Sequence, residues 1–237
     1  MTSPAFHAGS PEHLAALAVT AALSLAVALA AGRMGTRGRA WLGRALGGAL
    51  AAYAAVFYLE QARSGALSWE YSLPLDLCSL VALACILSPC IPSRLLRETA
   101  YFWGTGGALQ ALITPDLGGG FPSRDCALFF WGHGGIVACI VFLVAATDFR
   151  PGRGSVWRMM AALQVYGASV GAINGLTGWN YGYLCRKPAA PSLLDLLGPW
   201  PWYLLALEGV ALATFWLLAL PWRAGPQKGP EPRRAPP

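Results

Sequence analysis

Cys78, within Leu73-Pro74-Leu75-Asp76-Leu77-Cys78-Ser79, and His133, within Phe130-Trp131-Gly132-His133, are of the types needed for a nucleophile and its base. A thiol attacks as thiolate, and an imidazole within reach is the usual means of making one. Glu208 and Asn174 are of the kinds that orient such an imidazole. The amides of Asn174 and Asn180 can donate to a developing oxyanion. Asp76 stands two residues before Cys78, which on a helix turns it about 200° away. It helps His133 only if the helix begins irregularly, as Pro74 permits. Each residue also has a structural reading. A histidine in a span often bonds a neighbouring helix, and a buried glutamate is held neutral by apolar surroundings. Asn174 and Asn180 can satisfy backbone freed near a helix end. Thr114-Pro115-Asp116 reads as a helix stop, since proline ends the helix. The residue types permit cysteine chemistry without specifying it.

The elements that must position them are membrane helices. Of 237 residues, 56% are apolar and only 12% charged, and the mean hydropathy is +0.48. A soluble domain carries about 25% charged residues, so this chain cannot face water all round. Seven runs approach the ~20 mostly apolar residues a crossing helix needs: His13–Ala31, Trp41–Leu59, Leu73–Cys90, Glu98–Thr114, Ala127–Thr147, Trp157–Leu176 and Trp202–Pro221. The predicted fold is an all-α, seven-transmembrane-helix bundle. Residues 1–12 form an extracytoplasmic N-terminus, 13–222 the membrane domain and 223–237 a disordered Pro-rich cytoplasmic tail. Glycines such as Gly47, Gly104 and Gly107 suit close helix approach in lipid.

Charge placement sets the orientation. Twelve basic residues, from Arg33, Arg37 and Arg39 to Arg233 and Arg234, fall on one side of this count. Arg63, Arg124, Arg186 and Lys187 fall on the other. The positive-inside rule then places the N-terminus outside and the C-terminus in the cytoplasm. The net charge of +6 thus reports topology, and nucleic acid is not an expected partner. Ala28-Leu29-Ala30 resembles a signal-peptidase site, but no Lys or Arg precedes the first run and Glu12 does, so an uncleaved span is expected. The expected location is the inner membrane, crossed many times.

Polar side chains inside spans are costly and point to function. In this topology Cys78, His133 and Glu208 all lie within about 9 Å of the outer end of their spans. Asp76, Gln110, Asp116, Asn174, Asn180, Tyr181 and His13 share that layer, whereas the inner half holds little beyond Gln164, Tyr166 and loop arginines. A shared outer layer predicts a pocket open to the outer leaflet, with no path through the membrane. Cys85 and Cys139 read as packing, and Cys126 and Cys185 are placed where a disulfide is possible. No metal-ligand spacing appears among the three His and six Cys, and no metal or cofactor is expected. With Lys187 and Lys228 the only lysines, a retinal Schiff base in the last helix is excluded.

Several stretches together resemble a known family: Leu73-Pro74-Leu75-Asp76-Leu77-Cys78-Ser79, Gln110 with Thr114-Pro115-Asp116, His133, Asn174, Asn180-Tyr181, Lys187-Pro188, Asp195, Gly198-Pro199-Trp200-Pro201-Trp202-Tyr203 and Glu208. The chain resembles the bacterial YwaF-like integral membrane family, related to the eukaryotic transmembrane protein 164 acyltransferases. The resemblance covers about residues 70 to 221, and the Pro-Trp motif is its most specific part. It implies a seven-helix bundle with an interior Cys–His pair that moves fatty acyl groups between phospholipids. Cys78 matches the nucleophile and His133 its partner. Asp76 departs from the pattern, since bacterial members often carry His there.

The expected function is therefore acyl transfer or hydrolysis on a membrane lipid through a Cys78 thioester. Asp76, Gln110, Asp116, Asn174, Asn180, Tyr181 and Glu208 would bind substrate or support the pair. The alternative is a lipid-binding or transport protein that breaks no bond, and a third reading is a structural subunit. No soluble partner is expected.

Overall fold

The computed structural model describes residues 5–188 and 193–223. Among these, every regular element is helical: α1 Pro11–Arg33, α2 Thr36–Ser64, α3 Trp69–Ser72, α4 Leu77–Leu87, α5 Arg94–Ile113, α6 Arg124–Ala146, α7 Ser155–Thr177 and α8 Trp202–Ala219. Short 3-10 turns lie at Tyr181–Tyr183, Leu193–Leu197 and Leu220–Trp222. Six of the seven apolar runs coincide with a long helix, the third holds the shorter α4, and the additional α3 is a single turn. Of the predicted tail, only Arg223 falls among the described residues.

Four elements are long and apolar enough to cross a membrane: α1, α2, α6, and α8 with its following turn. Their outward faces carry large apolar side chains such as Leu23, Leu25, Trp41, Leu205 and Leu217. Such an outward apolar surface suits lipid rather than water. The α5 and α7 sequences are more polar because they carry Arg94, Arg97, Glu98, Arg158 and Gln164. Glu98 is completely buried, so part of this polarity is directed into the bundle.

The bundle is organised around α6, which packs against α1, α2, α4 and α5, while α5 carries α7 and α8 on its other side. Close approach depends on missing side chains. A Cβ on Gly104 would lie 2.8 Å from Ile140 and 3.0 Å from Val81, and one on Gly132 would overlap the Tyr53 ring at 2.5 Å. The main core, from Leu50 and Val81 to Phe102, Ile136, Met159 and Phe215, joins α2, α4, α5, α6, α7 and α8.

The third run differs from its prediction. Leu73–Cys90 reads as one helix, but α4 occupies only Leu77–Leu87, about 16 Å of rise against a hydrocarbon layer of ~30 Å. The Leu73 backbone is extended, as a residue before proline prefers, and Leu73-Pro74-Leu75-Asp76 links α3 to α4 without helix. The result is a late helix start with a partly buried Cys78 in its first turn.

Candidate functional site

Cys78 is the second residue of α4, whose N-cap residue is Asp76. No side chain caps that end, so α4 begins with backbone N–H groups free of a side-chain acceptor, the feature that favours negative charge at a helix start. A Cβ on Gly107 of α5 would lie 3.8 Å from the Cys78 Sγ, placing the thiol against α5. Tyr53 of α2, Tyr166 of α7 and Tyr183 lie within its electrostatic reach. Asp76 does not turn toward His133. Its Oδ1 accepts the Gly182 N–H at 3.1 Å, joining α4 to the segment after α7.

That segment, 180–186, is built by the asparagines singled out above. Asn174 is 1% exposed; its Nδ2 donates to Tyr181 O at 2.9 Å and its Oδ1 accepts Tyr181 N–H at 3.0 Å. Asn180 Oδ1 accepts from Cys185 N and Arg186 N, and its Nδ2 donates to Arg186 O. Tyr181 reaches across the gap, its hydroxyl donating to Trp69 O at 2.8 Å and accepting Leu73 N–H at 2.9 Å. These amides therefore serve the loop, the structural alternative weighed for them. The Pro-Trp motif braces the same loop from beyond: Trp200 Nε1 donates to Leu184 O at 3.1 Å, and the Tyr203 hydroxyl donates to Tyr183 O.

Two consecutive left-handed residues make the loop turn, Gly182 (φ +64°) and Tyr183 (φ +54°). Glycine is required at 182 on two counts, since a Cβ there would also lie 2.7 Å from the Tyr166 hydroxyl. That hydroxyl donates to Leu75 O at 2.9 Å, so Tyr166 reaches the start of α4. Burial first, and then the Asp116 and Asp76 carboxylates, push the Tyr183 phenol above the ordinary tyrosine range. Asp116, itself exposed, thus joins the rim of the site.

His133 is partly buried on α6. Its ring stacks on Phe129 at 4.2 Å, and its Nδ1 lies 3.0 Å from Phe129 O. A carbonyl can only accept, so Nδ1 carries the proton and Nε2 holds the lone pair, the arrangement a base requires. The helices bearing Cys78 and His133 pack together. Among the described residues no hydrogen bond joins the two side chains.

The other predicted members are spread more widely. Gln110 is exposed, and its carbonyl accepts from the Thr114 N–H and hydroxyl. Glu208 accepts Gln164 Nε2 at 2.5 Å, so it pairs with a residue that the sequence reading left outside the outer layer. His13 is buried and structural: its Nδ1 accepts Gly9 N–H at 2.9 Å, leaving Nε2 to donate to Leu112 O at 2.7 Å. All six cysteines are free, with Cys126 buried and Cys185 exposed, so the possible disulfide between them is not formed.

Sequence reasoning missed two features. One is the gathering of Tyr53, Tyr166 and Tyr183 within electrostatic reach of Cys78, which needs three separate helices and a loop to be placed together. The other lies at the opposite end of the bundle, where the buried Glu98 carboxylate accepts from Arg94 Nε at 2.8 Å, Arg158 Nε at 2.6 Å and Ser155 Oγ at 2.6 Å. Two arginines counted as loop charges therefore clamp α5 to α7. The i, i+4 spacing of Arg94 and Glu98 was the available signal.

An all-helical bundle with four helices long and apolar enough to cross a membrane, and large apolar side chains facing outward, defines an integral membrane protein. The chain belongs to the TMEM164 family, whose model matches residues 8–219. No curated protein and no solved structure matches the chain.

Proposed function

We propose that this chain crosses the inner membrane seven times, N-terminus outside, and transfers or hydrolyses lipid acyl groups through Cys78. The observation that carries the reading is the position of a partly buried Cys78 at the uncapped start of α4, against α5 and next to the point where the 180–186 loop bonds Asp76. His133 Nε2 takes the thiol proton, and Sγ attacks the carbonyl carbon of the acyl ester. Backbone N–H groups at the α4 start stabilise the oxyanion, the role left open once Asn174 and Asn180 are engaged by the loop. The C–O bond then breaks, the departing alkoxide takes the proton from His133, and a thioester remains on Cys78. A lipid hydroxyl or water, giving its proton to His133 Nε2, attacks the thioester carbonyl carbon; the C–S bond breaks, and the Cys78 thiolate takes the proton back from His133. The missing Cys78–His133 bond fits a pair that closes when substrate binds, since catalytic hydrogen bonds often tighten only then.

The same missing bond favours the second reading, a lipid-binding protein without chemistry. Proteoliposomes holding a phospholipid with a labelled acyl chain separate the two. The enzyme moves label to a second lipid or to free fatty acid, and Cys78→Ser loses nearly all of that turnover. A protein that moves no label, and binds lipid equally well as wild type or Cys78→Ser, is a binder.

A further inference from the structure

Cys85 and Cys139, which read from the sequence as packing, share one layer of the bundle. A Cβ on Gly104 would meet Val81 of α4 at 3.0 Å and Ile136 of α6 at 3.5 Å. One on Gly43 would meet Pro89, just past α4, at 3.6 Å and Phe142 of α6 at 2.8 Å. Val81 and Ile136 precede Cys85 and Cys139 by four and three residues, and Pro89 and Phe142 follow them by four and three. The two helices therefore run parallel, with the cysteines at one level between these contacts. Both thiols line the same cavity and lie within hydrogen-bonding reach of each other.

One thiol of the pair is reachable and the other is not. Cys85 is 1% exposed, whereas Cys139 is partly exposed. Arg39 of α2 and Arg97 of α5 line the cavity with them. Arg39 Nε donates to Ala31 O and Met34 O, each at 3.0 Å, and Arg97 pairs with the exposed Asp148 at 3.6 Å. A reachable thiol beside cationic groups is where cysteine oxidation concentrates, and a second thiol at hand resolves the product. Inert cysteines, by contrast, are closed in by apolar side chains.

The pair also has a place relative to the candidate site. Cys85 follows Cys78 by seven residues on α4, and Cys139 follows His133 by six on α6, about two turns in each case. A covalent bond between them would tie together the helices that carry Cys78 and His133.

We infer that Cys139 and Cys85 form a modification site for hydrogen peroxide, closing to a disulfide between α6 and α4. The Cys139 thiolate attacks one peroxide oxygen and the O–O bond breaks. The departing hydroxide leaves as water with the proton the thiol gave up, and a sulfenic acid remains on Cys139. The Cys85 sulfur then attacks the sulfenic sulfur, the S–O bond breaks, and hydroxide leaves as water with the Cys85 proton. Two thiols lose two electrons, and one peroxide becomes two waters. In the proposed orientation this end of the bundle faces the cytoplasm, where disulfides that form are transient, so the bond is made and reversed. The inference goes beyond the acyl-transfer reading, since neither Cys78 nor His133 takes part in the step.

The test is peptide mapping of the full chain in detergent micelles after treatment with hydrogen peroxide. Free thiols are blocked with a maleimide on unfolding, and the peptides are read by mass spectrometry. In the wild type Cys85 and Cys139 should be lost together from the maleimide-labelled set, appear as one linked peptide, and return with dithiothreitol. Cys85→Ser should stop at a sulfenic acid on Cys139, captured by a 1,3-dione, whereas Cys139→Ser should give no such adduct on Cys85. Both thiols still maleimide-reactive in the wild type, or disulfides that leave this pair out, would overturn the proposal, and that readout depends on no variant folding. A sulfenic acid captured on Cys85 in Cys139→Ser would overturn the order of attack.

Discussion

The Asp76 carboxylate accepts the Gly182 N–H at 3.1 Å across 106 residues of chain, fastening the 180–186 loop to the helix start that carries Cys78. The bond explains why Asp76, the N-cap residue of α4, does not cap its own helix. It also gives Asp76 a structural role. Asp76→Asn retains an acceptor oxygen, and Asp76→Ala removes it. Asn should keep most of the loop's protection against amide exchange, whereas Ala should raise exchange at Gly182 and its neighbours. Hydrogen exchange read by mass spectrometry checks this, and equal protection in both variants would contradict it.

Asn174 donates to and accepts from the Tyr181 backbone in a buried setting. Asn174→Ala leaves two buried backbone groups without partners, at about 1–3 kcal/mol each. A destabilisation of about 2–4 kcal/mol is expected in denaturant titrations in detergent, with Asn174→Asp also destabilising because a carboxylate faces the Tyr181 carbonyl. A shift below about 0.5 kcal/mol for Asn174→Ala would refute the clamp.

Gly182 and Tyr166 should be coupled. Gly182→Ala places a side chain on a left-handed residue, costing about 1 kcal/mol or more, and drives its Cβ toward the Tyr166 hydroxyl at 2.7 Å. In a Tyr166→Phe background that contact is relieved. Gly182→Ala should therefore cost about 1 kcal/mol less there than in the wild type, as a double-mutant cycle measures. Additive costs would show that the two do not meet.

Glu98→Ala should destabilise the bundle more than any exposed carboxylate variant. The carboxylate is fully buried, while Arg94 and Arg158 keep 58% and 42% side-chain exposure. Removing one partner of a fully buried pair costs about 3–5 kcal/mol, and the arginines' access to solvent lowers the expectation to roughly 2–3 kcal/mol. Thermal unfolding in detergent compares it with Asp195→Ala, for which a much smaller loss is expected.

Two exposed cysteines test the orientation. Cys185 lies in the loop after α7 and Cys90 in the link from α4 to α5, and both are exposed. In the seven-span reading they face opposite sides. A membrane-impermeant maleimide should label Cys185 in intact cells and Cys90 only after permeabilisation, with Cys185→Ser and Cys90→Ser assigning the signals. Labelling of both, or of Cys90 alone, in intact cells would contradict the topology.

Much of the fold was legible because a long continuous apolar run must satisfy its own backbone as a helix when it faces lipid. His13–Ala31 and Trp202–Pro221 lie close to α1 and α8 as formed. The third run was read too long because apolar residues continue through Leu73-Pro74-Leu75, where proline and the residue before it prevent helix. Asn174, Asn180 and Tyr181 were legible as a group near a helix end, and they do meet in one loop. Their partners were not, because Tyr181 reaches Trp69 more than a hundred residues away. Tyr166 was assigned to the inner half by counting residues along α7. The late start of α4 brings Leu75 to its hydroxyl instead. The Gln164–Glu208 pair escaped for the same reason, since depth along one helix does not fix depth along another when their ends differ.

The acyl-thioester is the central claim, and intact-mass spectrometry tests it most directly. Purified protein is incubated with mixed bacterial phospholipids as wild type, Cys78→Ala and His133→Ala. A fatty-acyl mass increment on the wild type, removed by hydroxylamine, absent from Cys78→Ala and strongly reduced in His133→Ala, is the predicted result. No adduct on any form, with intact lipid copurifying equally in all three, would contradict the account and leave a lipid-binding protein.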